Sequence, residues 1–282
     1  MHSIHKIGNS FWYITPISLT DRPILGMVVG EKKTLLIDAG NSESHVNYFL
    51  NELKKREIPN PDLVVLTHWH WDHIFGLSAL SHTVSIASTE TSIEMEKLIP
   101  FSWSDEAIDA RVKEGVEIEF CAKAIKEEYK NHRDIQVTLP DMTIEKRAEI
   151  NLGGVTCIVQ HVGGDHAADS VVVYIKEEKI LFLGDCIYPK MYAPKVHYTI
   201  EETLRVLDEI ESFEAENYIL SHQQPISKEE FDREVTLLRT IAKFTKICEG
   251  DQQKIMKEYE TYVKRELTED EIETIIYFVN GY

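Results

Sequence analysis

Thr67-His68-Trp69-His70-Trp71-Asp72-His73 places three imidazoles and a carboxylate within six consecutive positions. Neutral imidazole is the commonest metal-binding side chain, and carboxylate oxygen joins it where the ion is zinc, iron or manganese. Packing does not account for such a run, because each closely spaced His or Asp needs a buried partner or open water. The run follows Asp62-Leu63-Val64-Val65-Leu66, a short apolar stretch that reads as a buried strand. The polar cluster therefore falls at a strand end, where open α/β sheets place their sites. The competing reading is a solvated His-rich loop that chelates by accident. With 12 His among 282 residues, this spacing arises by chance in on the order of one chain in a thousand.

Working outward, the pattern of strands ending in polar residues repeats. Residues 10–17 and 24–29 are β-rich, and residues 33–37 form an apolar strand running into Asp38-Ala39-Gly40. Residues 44–56 put Val46, Phe49, Leu50 and Leu53 on one helical face, closed by Pro59 and Pro61. Beyond the first cluster, residues 154–162, 170–176, 179–183 and 217–220 read as strands. His166 lies in Gly163-Gly164-Asp165-His166, where glycines let the backbone approach something closely. Asp185 follows the strand ending in Leu183-Gly184, and His222 follows Leu220-Ser221. Singly, each is weak, since a lone His at a strand end is more often a cap or surface residue. Their force comes from sharing one topological address.

Two stretches stand apart. In residues 104–129, Ile108, Val112, Val116, Phe120 and Ala124 recur every four positions, which predicts an amphipathic helix or a helix pair broken at Gly115. We place a helical insert at about residues 98–133, either structural cover or a lid. Capping boxes are predicted at Thr199-Ile200-Glu201-Glu202, Ser227-Lys228-Glu229-Glu230 and Thr268-Glu269-Asp270-Glu271, the last two within a helical tail spanning about residues 226–282.

Composition sets the outer bounds. The 43% hydrophobic content fills one sizeable core, so residues 1–282 are taken as a single domain. The formal charge of -18, from 30 basic and 48 acidic residues, repels phosphate backbones and anionic membranes, so a small-molecule substrate is expected rather than nucleic acid or membrane. A homo-oligomer stays open. No apolar run approaches the roughly 20 residues that span a bilayer. The start carries no secretion pattern, and Cys121, Cys157, Cys186 and Cys248 lack zinc-ribbon spacing, so a cytoplasmic protein with reduced thiols is expected.

Taken in order, Leu36-Ile37-Asp38-Ala39-Gly40, Thr67 to His73, His166, Gly184-Asp185 and Ser221-His222 resemble the metallo-β-lactamase superfamily, in particular its binuclear metallohydrolases. The resemblance implies an α+β fold, a four-layer αββα sandwich with two metals at one edge of the paired sheets. It implies that His68, His70 and His166 bind one ion and that Asp72, His73 and His222 bind a second. Asp185 would bridge them, and Asp38 would orient a ligand imidazole. Three positions depart from the usual pattern: Gly-Gly-Asp-His stands for Pro-Gly-His, Ile74-Phe75-Gly76 for a Gly pair, and His222 sits in Ser-His-Gln-Gln-Pro.

Histidine and carboxylate ligands without thiolate suit two divalent ions, Zn2+ by default, with Fe or Mn as alternatives. A metal-bridging hydroxide would then cleave a small ester, lactone, thioester or amide. Asp72 is expected to serve as ligand and proton shuttle. Tyr188 falls three residues after Asp185, a spacing similar to that of the superfamily's lactonases, and would either contact the substrate carbonyl or form an aromatic wall. Of Trp69 and Trp71, one is expected to pack inward and one to line the cleft. Cys186 is expected to be a small buried residue. The rival activities on the same fold are a single-iron persulfide dioxygenase and a phosphodiesterase acting on small nucleotides.

Overall fold

Alternation along the strands builds the layers. In β10 (Val171–Ile175), Val171, Val173 and Ile175 join one apolar cluster while Val172 and Tyr174 join another. In β4 (Thr34–Ile37), Leu35 and Ile37 share the first cluster and Leu36 faces the opposite way. Successive strand residues point to opposite faces, so a strand apolar at every position must be covered on both sides. The shared cluster lies between two sheets, and the other two clusters lie beneath helices. This is an αββα sandwich. The computed structural model describes residues 2–131 and 133–282. Thus His132, inside the expected insert, lies outside the described residues.

The first sheet runs β1 (Ile4–Ile7), β2 (Phe11–Ile14), β3 (Gly26–Val29), β4, β5 (Leu63–Val65), β6 (Val84–Ser88) and β7 (Met142–Ile144). It is antiparallel through β4 and parallel from β4 to β7. The second runs β13 (Ile226–Ser227), β12 (Asn217–Leu220), β11 (Ile180–Gly184), β10, β9 (Thr156–His161) and β8 (Arg147–Asn151), with β11 and β12 parallel. Parallel neighbours end at the same edge, so β4 with β5, and β11 with β12, deliver their following residues side by side.

Helices α1 (Glu43–Lys54), α2 (Trp71–Ile74), α3 (Thr89–Leu98), α4 (Asp105–Glu114) and α5 (Glu119–Glu128) contribute to the cluster on the outer face of the first sheet. The residue 104–129 stretch is a helix pair: Gly115 at φ 72 caps α4 in the left-handed region. The four-residue recurrence breaks there, and Val116 and Phe120 are half exposed at 50% and 52%. Helices α6 (Ile200–Glu211), α7 (Lys228–Ile247), α8 (Gln252–Val263) and α9 (Glu269–Gly281) contribute to the cluster on the second sheet's outer face. Ser227 and Thr268 form the expected capping boxes. Thr199 does not. Its amide and hydroxyl donate to Asp165 at 2.8 and 2.9 Å, because a carboxylate at a helix N-terminus is the stronger acceptor. Among the described residues, no helix is long and apolar enough to cross a membrane.

Candidate metal centre

Asp38 ties the first two strand ends together. It follows β4 at φ 63, which turns the chain so that its amide donates to the Val65 carbonyl at 2.8 Å. Its carboxylate, fully buried, accepts from the Thr67 amide (2.7 Å), the Thr67 hydroxyl (2.9 Å) and His73 Nδ1 (2.8 Å). The histidine run is thereby held by its own first residue and its last.

His166 arrives from the β9–β10 connection. Gly164 adopts φ 134, and a Cβ there would stand 2.5 Å from the Cys186 carbonyl oxygen. The glycines thus let this connection press against the chain leaving Asp185. Gly164→Ala is expected to cost about 1–3 kcal/mol in backbone strain alone and to weaken metal uptake. Thermal unfolding and a metal titration check both effects.

The seven residues named from the sequence fall into two adjoining groups, His68 with His70 and His166, and Asp72 with His73, Asp185 and His222. His70 Nδ1 lies 3.0 Å from His68 Nε2 and 2.9 Å from His166 Nε2. His73 Nε2 is 3.0 Å from Asp72 Oδ2, and His222 Nε2 is 3.3 Å from it. Asp185 Oδ2 stands between the groups, 3.2 Å from His222 Nε2, 3.5 Å from His73 Nε2 and 3.4 Å from His166 Nε2.

The outer hydrogen bonds decide which nitrogens carry hydrogen. His166 Nδ1 meets the Pro189 carbonyl at 3.1 Å, and a carbonyl only accepts. His73 Nδ1 donates to Asp38. Thr67 gives its one hydroxyl proton to Asp38, so it accepts from His68 Nδ1 at 3.1 Å. The inner Nε2 atoms of His68 and His166 are therefore bare lone pairs aimed at one another across His70 Nδ1. Three such nitrogens within hydrogen-bond distance have at most one proton to share. The buried Asp185 Oδ1 has no hydrogen-bond partner among the described residues.

The charges tell the same story. Burial pulls the pKa of His68, His70 and His166 down, keeping them neutral donors of electron pairs. Burial acts the same way on His73 and His222, but Asp72, Asp38 and Asp185 push His73, and Asp185 and Asp72 push His222, well above the usual value. In the chain alone, protons on these two imidazoles supply the positive charge that the carboxylates require. The donor set fits divalent cations.

Two residues of the site carry no sequence signal. Asp21, in the left-handed region at φ 51, places Oδ1 3.3 Å from His222 Nδ1. Burial and the Asp72 charge push its carboxyl up to about 7. Asp169 accepts from the Trp69 amide at 2.9 Å and the Thr91 hydroxyl at 2.7 Å, pinning the histidine run from the second sheet. Both read locally as turn residues, and only the tertiary contacts distinguish them.

A cavity of about 760 Å³ opens on Asp72, Asp185 and His222 and extends between α5 on one side and α7 and α9 on the other. Tyr188 lines it, its ring centroid 6.0 Å from that of His166. The expectation for the tryptophans is half met: Trp71 packs inward against Phe75, but Trp69 stands behind His70 and faces a second, smaller space. The strand has already ended at Val65, and the turn into α2 replaces simple alternation. Cys186 is buried, which pushes its thiol pKa up.

Residues 20–222 match the family model of the metallo-beta-lactamase superfamily. The chain belongs to the metallo-beta-lactamase superfamily. Its fold is shared by a metallo-beta-lactamase from Pontibacter korlensis, with a TM-score of 0.59, 20% identity and coverage of 84% of this chain and 98% of that one. DIM-1 metallo-beta-lactamase aligns with a TM-score of 0.56 at 17% identity, covering 83% and 95%. Among curated relatives, the acyl-coenzyme A thioesterase MBLAC2 of Homo sapiens is 26% identical over 178 residues, which is 60% of this chain and 59% of that protein. The Gallus gallus protein of the same name is 26% identical over 177 residues, covering 60% and 58%. The chain thus spans less than two thirds of the length of these relatives. The two His/Asp groups of this chain suit divalent metal ions.

Proposed function

We propose that this chain is a metal-dependent hydrolase that cleaves a small ester, lactone, thioester or amide. The observation that carries the reading is the convergence of five imidazoles and two carboxylates, with Asp185 Oδ2 between the two groups, at the floor of a substrate-sized cavity. His68, His70 and His166 would hold one ion, and Asp72, His73 and His222 the second, with Asp185 between them; zinc suits this set best. Bound ions would supply hydroxide at neutral pH and polarise the substrate's carbonyl oxygen.

The chain's own residues do the rest. Asp72 borders the cavity, where it would take a proton and return it to the leaving group; although burial raises its pKa, His73 and His222 hold it low, so in the chain alone it is ionised. Burial and the Asp185 charge hold the Tyr188 phenol protonated, which makes it a donor to a developing oxyanion. Asp38 and Asp21 fix the orientation of His73 and His222 from behind. The similarity to proteins named thioesterases supports an acyl substrate.

Hydrolysis of a panel of ester, lactone, thioester and phosphodiester by the zinc-loaded protein tests this reading. Acyl turnover above phosphodiester turnover supports it. One bound iron per chain, with oxygen consumed on a persulfide, would replace it. Tyr188→Phe is expected to lower kcat about 10- to 100-fold with metal content unchanged, and undiminished kcat would return Tyr188 to a wall residue.

A further inference from the structure

The cavity above the metal centre is lined by acids at both ends and by no lysine or arginine. Asp21, Asp72 and Asp185 lie at the metal end, where imidazoles and the proposed ions offset their charge. Glu234 of α7 and Asp270, Glu271 and Glu273 of α9 line the other end. There Arg265 spends its guanidinium on both oxygens of Glu271, each at 2.8 Å. The nearby cations of α7 are also taken: Arg233 pairs with Glu229 at 2.8 Å and Lys228 with Asp232 at 2.7 Å. Glu234, Asp270 and Glu273 enter no ion pair among the described residues. This end of the cavity therefore keeps an uncompensated negative charge.

Aromatic rings share the same wall. Tyr188, Tyr198 and Tyr277 line the cavity between the metal centre and the acids. Tyr198 is fixed in place: its ring stacks on Phe278 at 5.1 Å, meets Tyr277 edge-on at 6.1 Å, and its hydroxyl donates to the Ile187 carbonyl at 3.1 Å. Burial, and then charges that include Glu234, push the Tyr188 and Tyr198 phenols up. Burial and the Asp270 charge likewise push Glu234 up. The acids thus stand close enough to act on the rings and on one another. Ring faces and carboxylates share one electrostatic preference, since both attract a cation and neither holds an anion. An organic cation seated here gains from both and relieves the repulsion between Glu234 and Asp270.

We propose that the substrate carries an ammonium group, seated between α7 and α9 by Glu234, Asp270 and Glu273, while its acyl carbonyl stands at the metal centre. The inference rests on the hydrolase reading and narrows it. It also sets this chain apart from the coenzyme A thioesters for which MBLAC2 is named. Coenzyme A bears several phosphates, and a cavity end with unpaired carboxylates and no basic side chain repels them.

Three acetyl thioesters that differ in the charge of the leaving group test the substrate class on the zinc-loaded protein. They are acetylthiocholine, its neutral isostere S-(3,3-dimethylbutyl) thioacetate, and acetyl-coenzyme A. Acetylthiocholine is expected to exceed the isostere about tenfold or more in kcat/KM, with acetyl-coenzyme A the poorest. The triple variant Glu234→Gln, Asp270→Asn, Glu273→Gln is expected to bring the first two within about twofold, with zinc content and turnover of the isostere unchanged. Calorimetry with choline and 3,3-dimethyl-1-butanol reads the same preference without turnover, and choline is expected to bind about tenfold or more tighter. If no thioester is cleaved, the hydrolase reading has failed and the calorimetry alone decides the charge preference. Equal binding of choline and its isostere, a preference retained by the triple variant, or acetyl-coenzyme A cleaved ahead of the neutral thioester overturns the proposal.

Discussion

His68→Ala is expected to abolish most metal uptake by the first group and to lower turnover by about 10³-fold or more. His68 is fully buried, its Nδ1 is fixed by Thr67, and its Nε2 faces the other two imidazoles of its group. Alanine leaves two nitrogens where a tetrahedral ion expects three protein ligands with a position kept for substrate or water. A 10³-fold loss corresponds to about 4 kcal/mol of transition-state stabilisation, the scale of removing a Lewis acid from a carbonyl. The fold should tolerate the change, because no other side chain depends on His68 for its only hydrogen bond. Metal content by plasma mass spectrometry and kcat on the best acyl substrate read the two effects separately. Full metal content with unchanged kcat would remove His68 from the site.

Asp38→Ala should have the largest effect on stability, a loss of about 4 kcal/mol or more. Three buried donors, the Thr67 amide, the Thr67 hydroxyl and His73 Nδ1, lose their common acceptor, and each stranded donor costs about 1–3 kcal/mol. The site also has φ 63, where alanine pays a further ~1 kcal/mol that Asp and Asn largely escape. Asn separates the two causes. Asp38→Asn keeps the backbone conformation and one acceptor oxygen, but its amide faces His73 with donors. His73 is then pushed toward the tautomer that presents Nε2–H to the metal. Asp38→Asn is therefore expected to unfold closer to the unaltered protein while binding metal about 10- to 100-fold more weakly. Thermal unfolding of stripped protein and competition with a chromophoric chelator measure the two quantities. An Asn variant with unaltered affinity would mean that Asp38 does not set the His73 tautomer.

The parts of the fold that show in the sequence are those whose residues are buried on a regular period. β10, β11 and β12 are apolar nearly throughout because both faces are covered, and Ile108 and Val112 stand one turn apart on α4. What the sequence does not reveal is edge structure. β1, β7 and β8 have only exposed and half-buried positions, so no apolar run announces them. β6 and α3 were hidden by a mixed, Ser- and Thr-rich segment whose role depends on the neighbours it meets.

At the site the same division holds. Side chains that carry metal chemistry stand out by type and by their place after strands, so His166, Asp185 and His222 could be named from the sequence. Residues that act by holding others look ordinary. Asp21 and Asp169 both read as turn aspartates. Their roles arise only when segments far apart in the chain are brought together. Thr199 shows the reverse error: its capping box was legible, but Asp165, 34 positions away, supplies a better acceptor.

The account rests on two cations held by side chains from both sheets. Anomalous diffraction from a crystal of the zinc-loaded protein, recorded on both sides of the zinc absorption edge, tests it most directly. Two peaks are expected, one bounded by the imidazoles of His68, His70 and His166 and one by Asp72, His73 and His222, with Asp185 reaching both. No peak there, or zinc bound elsewhere with these side chains turned away from one another, would contradict it.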